Sequence, residues 1–160
     1  MVKMDDVVKI GLDFHGVIND NPKYFQKFTA AAVARGWEIH VITGGPYDKV
    51  AAYLQNHHIV YNRLFAIFDF YDRKGLAEIR PDGEFKIEKH LWDSAKAEYC
   101  RKHNIRIHID DSLDYKKSFS TPYCTYDAQK HTCRLDEQHI LDLSAPVSET
   151  LDAIAAFLKI

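Results

Sequence analysis

Three short apolar runs in this chain each end on residues able to handle charge. Val7–Phe14 leads into Asp13-Phe14-His15-Gly16-Val17, Glu38–Thr43 into Thr43-Gly44-Gly45, and Ile105–Ile109 into Asp110-Asp111-Ser112. If the runs are parallel strands of one open sheet, their carboxyl ends lie side by side, where such sheets bind ligands. One edge then gathers three carboxylates, a hydroxyl and exposed glycine amides. Hard oxygen ligands beside backbone N–H groups suit Mg2+ bound with a phosphate, because magnesium takes one or two protein carboxylates, waters and phosphate oxygens. The amides of Gly44 and Gly45, at the entrance to a helix, could hold an anionic oxygen. Any one strand-end Asp, Thr or Gly is ordinarily a turn or capping residue; it is the coincidence of three that points to chemistry.

The elements that must position these groups read as alternating strands and amphipathic helices, the pattern of a parallel α/β sheet. Strands are expected over Val7–Phe14, Glu38–Thr43, Leu64–Phe70 and Ile105–Ile109, with weaker ones over Thr121–Tyr126 and His139–Leu143. Asn21-Pro22 opens a helix as N-cap and first helical residue, and Gly36 closes it. Further helices are expected from about Tyr47 to His57, from Ser94 to His103 behind an Asp93 cap, and after Ser144-Ala-Pro, where Val147, Leu151, Ile154, Ala155 and Leu158 form an apolar stripe. Pro81-Asp82-Gly83 between Ala77–Ile79 and Glu84–Ile87 signals a short hairpin. The fold expected is a three-layer doubly wound sheet, Rossmann-like, in which the strand ending at Asp13 is central and flanked by those ending at Thr43 and Asp110, with helices on both faces.

Composition narrows the function class. At 160 residues the chain reads as one domain, large enough to bury a real core. A net charge of −2 argues against a protein that coats nucleic acid. Three cysteines, Cys100, Cys124 and Cys133, form no disulfide framework and suggest a reduced, cytoplasmic chain. The acidic start, Met1 to Asp6, is unlike a signal peptide, and no apolar stretch is long enough for a membrane span.

The three strand ends, in this order, resemble the haloacid dehalogenase-like superfamily. Ile10-Gly11-Leu12-Asp13-Phe14-His15-Gly16-Val17-Ile18 is similar to its first motif, Ile39-His40-Val41-Ile42-Thr43-Gly44 to its second, and Ile107-His108-Ile109-Asp110-Asp111-Ser112 to its fourth; the third is a single Lys ahead of that last strand. The resemblance implies a Mg2+-dependent phosphatase. Asp13 would attack phosphorus and form an aspartyl-phosphate that water then hydrolyses. Asp13, the backbone carbonyl of His15 and Asp110 would bind Mg2+, with Asp111 a direct or water-mediated ligand. Thr43, Gly44 and the Lys would hold the phosphoryl oxygens. These roles agree with phosphoryl transfer being mostly positioning and charge neutralisation. Lys96 is the expected lysine, because it opens a helix that runs straight into the strand ending at Asp110 and the first turn of that helix points back toward the strand tips; Lys89 is the alternative. As surface lysines, either would be commonplace.

The departure from the family pattern is His15, where its phosphatases carry a second Asp that protonates the leaving oxygen and later activates water. Imidazole is a competent acid–base group. Three readings stay open: His15 replaces the acid, the substrate needs little protonation, or the protein binds phosphorylated ligands without efficient hydrolysis. Cys124, His131, Cys133 and His139 could be drawn as a zinc site, but their spacing matches no tight ligand pattern. Arg73, Lys74, Lys86 and Lys89 with Tyr71, Phe85 and Trp92 could form an aromatic, basic surface suited to a nucleotide or a nucleic-acid end, or simply an amphipathic hairpin on the sheet. No segment is long enough for a large cap domain, so the expected site is open to a small phosphorylated substrate or to a phosphorylated macromolecule. The oligomeric state is not legible.

Overall fold

The computed structural model describes residues 7–82 and 84–160, and of Phe85 the backbone only. The expectations for Met1–Asp6 and for Gly83 in the hairpin turn lie outside the described residues. Along the chain run β1 (Lys9–Leu12), α1 (Pro22–Ala34), β2 (Glu38–Thr43), α2 (Tyr47–Asn56), β3 (Arg63–Ala66), α3 (Ile67–Arg73), β4 (Glu78–Ile79), β5 (Phe85–Lys86), α4 (Lys89–Lys102), β6 (Ile107–Asp110), α5 (Leu113–Lys116), β7 (Tyr123–Asp127), β8 (Thr132–Arg134), β9 (Ile140–Asp142) and α6 (Val147–Leu158). Seven strands form one sheet in the order β3-β2-β1-β6-β7-β8-β9, and β4-β5 form a separate hairpin. The first five of the sheet are parallel, and β8 and β9 are added antiparallel.

The central strand of the parallel part is β1. β1 pairs on one side with β2, Ile10 beside Ile39, and on the other with β6, Ile10 beside Ile107. Its Ile10 and Leu12 are fully buried, as expected of a strand covered on both faces. Ile39 and Val41 of β2 pack into a core shared with Phe25 and Phe28 of α1, Val50 and Leu54 of α2, and Leu151 and Ile154 of α6. Ile42 points the other way and packs with Cys100 of α4. The result is an α/β fold with a mostly parallel sheet flanked by helices, compatible with a Rossmann-like topology. No helix among the described residues is long and apolar enough to cross a membrane.

Two expected elements are corrected. The strand expected over Leu64–Phe70 stops at Ala66, and Ile67–Arg73 is a helix. A continuous apolar run has no period to separate strand from helix; here Ile67 and Tyr71, one helical turn apart, are the residues buried. The helix expected from Ser94 begins at Lys89. Its cap is Glu88, whose carboxylate accepts from the N–H groups of His90 and Leu91, both at 3.0 Å. Asp93, the expected cap, lies inside the helix and pairs with Lys89 at 2.8 Å. β8 is a strand beyond the six expected for the sheet.

Candidate active site at the strand tips

Asp13 follows β1 directly. Its N–H still bonds to the Ile109 carbonyl at 2.8 Å, so it is held by the sheet while its side chain stands at the tip. The chain then turns through Phe14–Ile18, with a break from helical geometry at His15 and Gly16. Gly16 has φ of 84°, and a Cβ there would collide with the Asp111 carboxylate. Both facts require glycine. Across the tip, the N–H of Ser112 donates to Asp110 Oδ1 at 3.0 Å, locking the β6 end.

Lys96 joins the two strands. It projects from α4 with 1% of its surface exposed. Its ammonium donates to Asp13 Oδ1 at 2.9 Å and to Asp110 Oδ2 at 2.8 Å. The same Nζ lies 4.4 Å from the centre of the Tyr115 ring, a cation–π contact. Carboxylate oxygens of Asp13, Asp110 and Asp111 lie within 4.8 Å of one another; Asp13 and Asp110 are buried and Asp111 is exposed. Lys89, the alternative lysine, is exposed and engaged with Asp93.

The environment sets the charges. Burial works against the Lys96 ammonium, but the Asp13 and Asp110 carboxylates outweigh it and hold the amine above the ordinary lysine range. Burial also opposes the Asp110 charge, yet the hydrogen bond from His108, the Lys96 charge and its hydrogen bond hold this carboxyl below the usual range. Asp13 goes the other way: burial raises it well above the ordinary value, Lys96 compensates in part, and the Asp110 charge adds to the rise. Asp110 is thus the firmly ionised member. Among the described residues it accepts from Lys96, His108 and the Ser112 N–H, and Asp13 shares the first of these.

His15 is exposed, with Nε2 3.4 Å from the Gly45 carbonyl. Thr43 is fully buried, and its hydroxyl accepts from the Gly45 N–H at 3.3 Å. Gly44 lies against Trp92, whose ring would sit 3.0 Å from a Cβ at that position. The Trp92 indole N–H donates to the Tyr115 hydroxyl at 2.9 Å. A cavity of ≈ 340 Å³ opens here, lined among others by Asp13, His15, Gly44, Lys96, Asp111 and Tyr115. A larger hollow of ≈ 470 Å³ beside α2 and α3, lined by Asp48, Asp69 and Arg73, contains none of the strand-end groups.

The tips therefore bring together Asp13, His15, Gly44, Lys96, Asp110 and Asp111, with Thr43 buried beside them. Other candidates go elsewhere. Cys124 and Cys133 are buried in the core, His131 lies 3.5 Å from the Tyr126 hydroxyl, and His139 pairs with Asp136. Near the hairpin, Tyr71 is buried and donates to the Leu91 carbonyl, and Lys74 lies over Phe70.

Sequence reasoning missed Tyr115 and the buried His108, which donates from Nε2 to Asp110 Oδ2 at 2.9 Å. Burial lowers the proton affinity of that imidazole, against the opposing pull of the Asp110 carboxylate. A signal for it existed: in Ile107-His108-Ile109-Asp110, residues two apart share a face of the strand. No family model matches the chain, and no curated protein matches it.

Proposed function

We propose that this chain is a Mg2+-dependent phosphomonoester hydrolase of the haloacid dehalogenase-like type, working through an aspartyl-phosphate on Asp13. The observation that carries the reading is the buried Lys96 ammonium bridging Asp13 and Asp110 beside a third carboxylate, at the tips of adjacent parallel strands. The donor set is all oxygen, with no thiolate or imidazole among the three, and this suits a hard cation. Asp13, Asp110 and Asp111 would hold Mg2+, which would neutralise charge between an anionic nucleophile and an anionic substrate.

In this reading an Asp13 oxygen forms a bond to phosphorus as the ester P–O bond breaks. His15, in its protonated form, gives its proton to the leaving oxygen. The neutral imidazole next takes a proton from water, whose oxygen attacks phosphorus and releases phosphate from Asp13. Lys96 holds the nucleophile in place and offsets charge as it builds on the phosphoryl oxygens, and the Gly44 amide would receive one of them. A positioned acid contributes about 100- to 10,000-fold, so activity against esters with poor leaving groups depends on His15.

The deciding assay is p-nitrophenyl phosphate hydrolysis with and without Mg2+. Asp13→Asn is expected to abolish the Mg2+-dependent turnover; turnover that survives it overturns the reading. His15→Asp then tests the acid: a large gain on poor-leaving-group esters would show that His15 is no working replacement. The second reading, a phosphoryl-ligand-binding protein without efficient hydrolysis, is favoured by His15 itself, whose ring lies against the Gly45 carbonyl. It predicts phosphate binding with Mg2+ but no Asp13-dependent turnover.

A further inference from the structure

His108 is a buried side chain that the proposed reaction does not use. It is fully inaccessible, and three neighbours fix its ring. Phe119 stacks on it with centroids 5.1 Å apart and planes 10° from parallel. Tyr123 packs beside it at 5.7 Å. Its partner across the β1–β6 ladder is Gly11, where a Cβ would stand 2.6 Å from the imidazole Nδ1. The ring thus occupies space that any other residue at position 11 would contest. Nδ1 is buried with no hydrogen-bond partner among the described residues, an arrangement that generally costs stability. Nε2 makes the ring's hydrogen bond, to Asp110 Oδ2.

We infer that His108 is a positioning residue for cation binding: clamped by Phe119 and Gly11, it holds the Asp110 carboxylate in the orientation a divalent cation needs. The inference rests on the proposed Mg2+ site. Asp110 is otherwise held by Lys96 and by the Ser112 N–H, and Lys96 is shared with Asp13. His108 donates to Asp110 from within β6, and it belongs neither to the reacting groups nor to the adjoining turn. Partners of this kind, one step behind the ligands, typically account for 10- to 100-fold in metal affinity.

The test is Mg2+ titration of the full chain by calorimetry, with thermal melts, for the wild type, His108→Leu, His108→Gln and Gly11→Ala. His108→Leu removes the donor and is expected to weaken Mg2+ binding about 10- to 100-fold. His108→Gln places an amide N–H near the position of Nε2 and is expected to recover most of that loss. Gly11→Ala leaves position 108 untouched but displaces its ring, and is expected to weaken binding to an intermediate degree. A merely structural histidine would lower the melting temperature and leave the Mg2+ affinity of the folded protein unchanged. Wild-type affinity in folded His108→Leu, or His108→Gln no better than His108→Leu, overturns the inference. If His108→Leu does not fold, Gly11→Ala decides, and wild-type affinity in it overturns the inference. A wild type that binds no Mg2+ overturns the cation site and the inference together. Binding that follows the expected order without any Asp13-dependent turnover upholds the inference and removes the hydrolase reading alone.

Discussion

At the scale of single residues, Lys96 keeps two buried carboxylates from facing each other bare. Removing one member of a buried ionic group leaves the others uncompensated and typically costs about 3–5 kcal/mol. Lys96→Met is therefore expected to lose stability of that order in urea melts without divalent cations. Because the vacated position lies between Asp13 and Asp110, added Mg2+ is expected to raise the melting temperature of the variant more than that of the wild type. An equal rise in both would place the cation away from these carboxylates. Turnover of p-nitrophenyl phosphate should fall with the same substitution, through loss of the charge that steadies the nucleophile.

At the scale of elements, α1 shows how local chemistry sets a boundary. The Asn21 side chain accepts from the Tyr24 N–H at 3.3 Å, and Pro22 follows in the first turn. Asn21→Ala is expected to cost about 1 kcal/mol, read from the urea midpoint, with no effect on Mg2+ binding. This helix start was legible because cap and proline are local signals. So were the strands of Ile10, Ile39 and Ile107, whose apolar runs end abruptly on Asp13, Thr43-Gly44 and Asp110-Asp111. The β3–α3 junction was not legible, because the run from Leu64 to Phe70 reads as a strand, and the buried pair at helical spacing, Ile67 and Tyr71, reaches one residue beyond it. Nor was the start of α4, since a Glu cap competes on paper with the Asp93 that follows it. Lys96 was expected at the site on the ground that it opens a helix. It reaches Asp13 and Asp110 from inside a longer one, so the expected contacts are made from a different place in the helix. Tyr115 was invisible for another reason: its ring reaches the Lys96 ammonium from the short helix after β6, a contact that no spacing encodes.

At the scale of the whole molecule, the interior favours neutral thiols and a charged amine, and both set the alkaline limit of stability. Burial pushes the Cys100 thiol up to about 12, whereas an unfolded thiol loses its proton near its ordinary value of about 8.5. Between those values the unfolded chain holds fewer protons, so stability falls as pH rises. Lys96 acts in the same sense, its raised value making its contribution complete below the ordinary lysine range and lost as pH climbs through the folded one. Calorimetric melting temperatures should thus decline from about pH 9 upward, and Cys100→Ala should delay the onset. An unchanged onset in that variant would assign the decline to other groups. The site's charge balance has a consequence of a different kind. Three carboxylates around one ammonium oppose a lone anion, and in the proposed reading a divalent ion removes that opposition. Linkage then requires that a phosphate analogue tighten Mg2+ binding by the same factor by which Mg2+ tightens the analogue's. The protein would behave as a coincidence detector, poorly occupied by either ligand alone and well occupied by the pair.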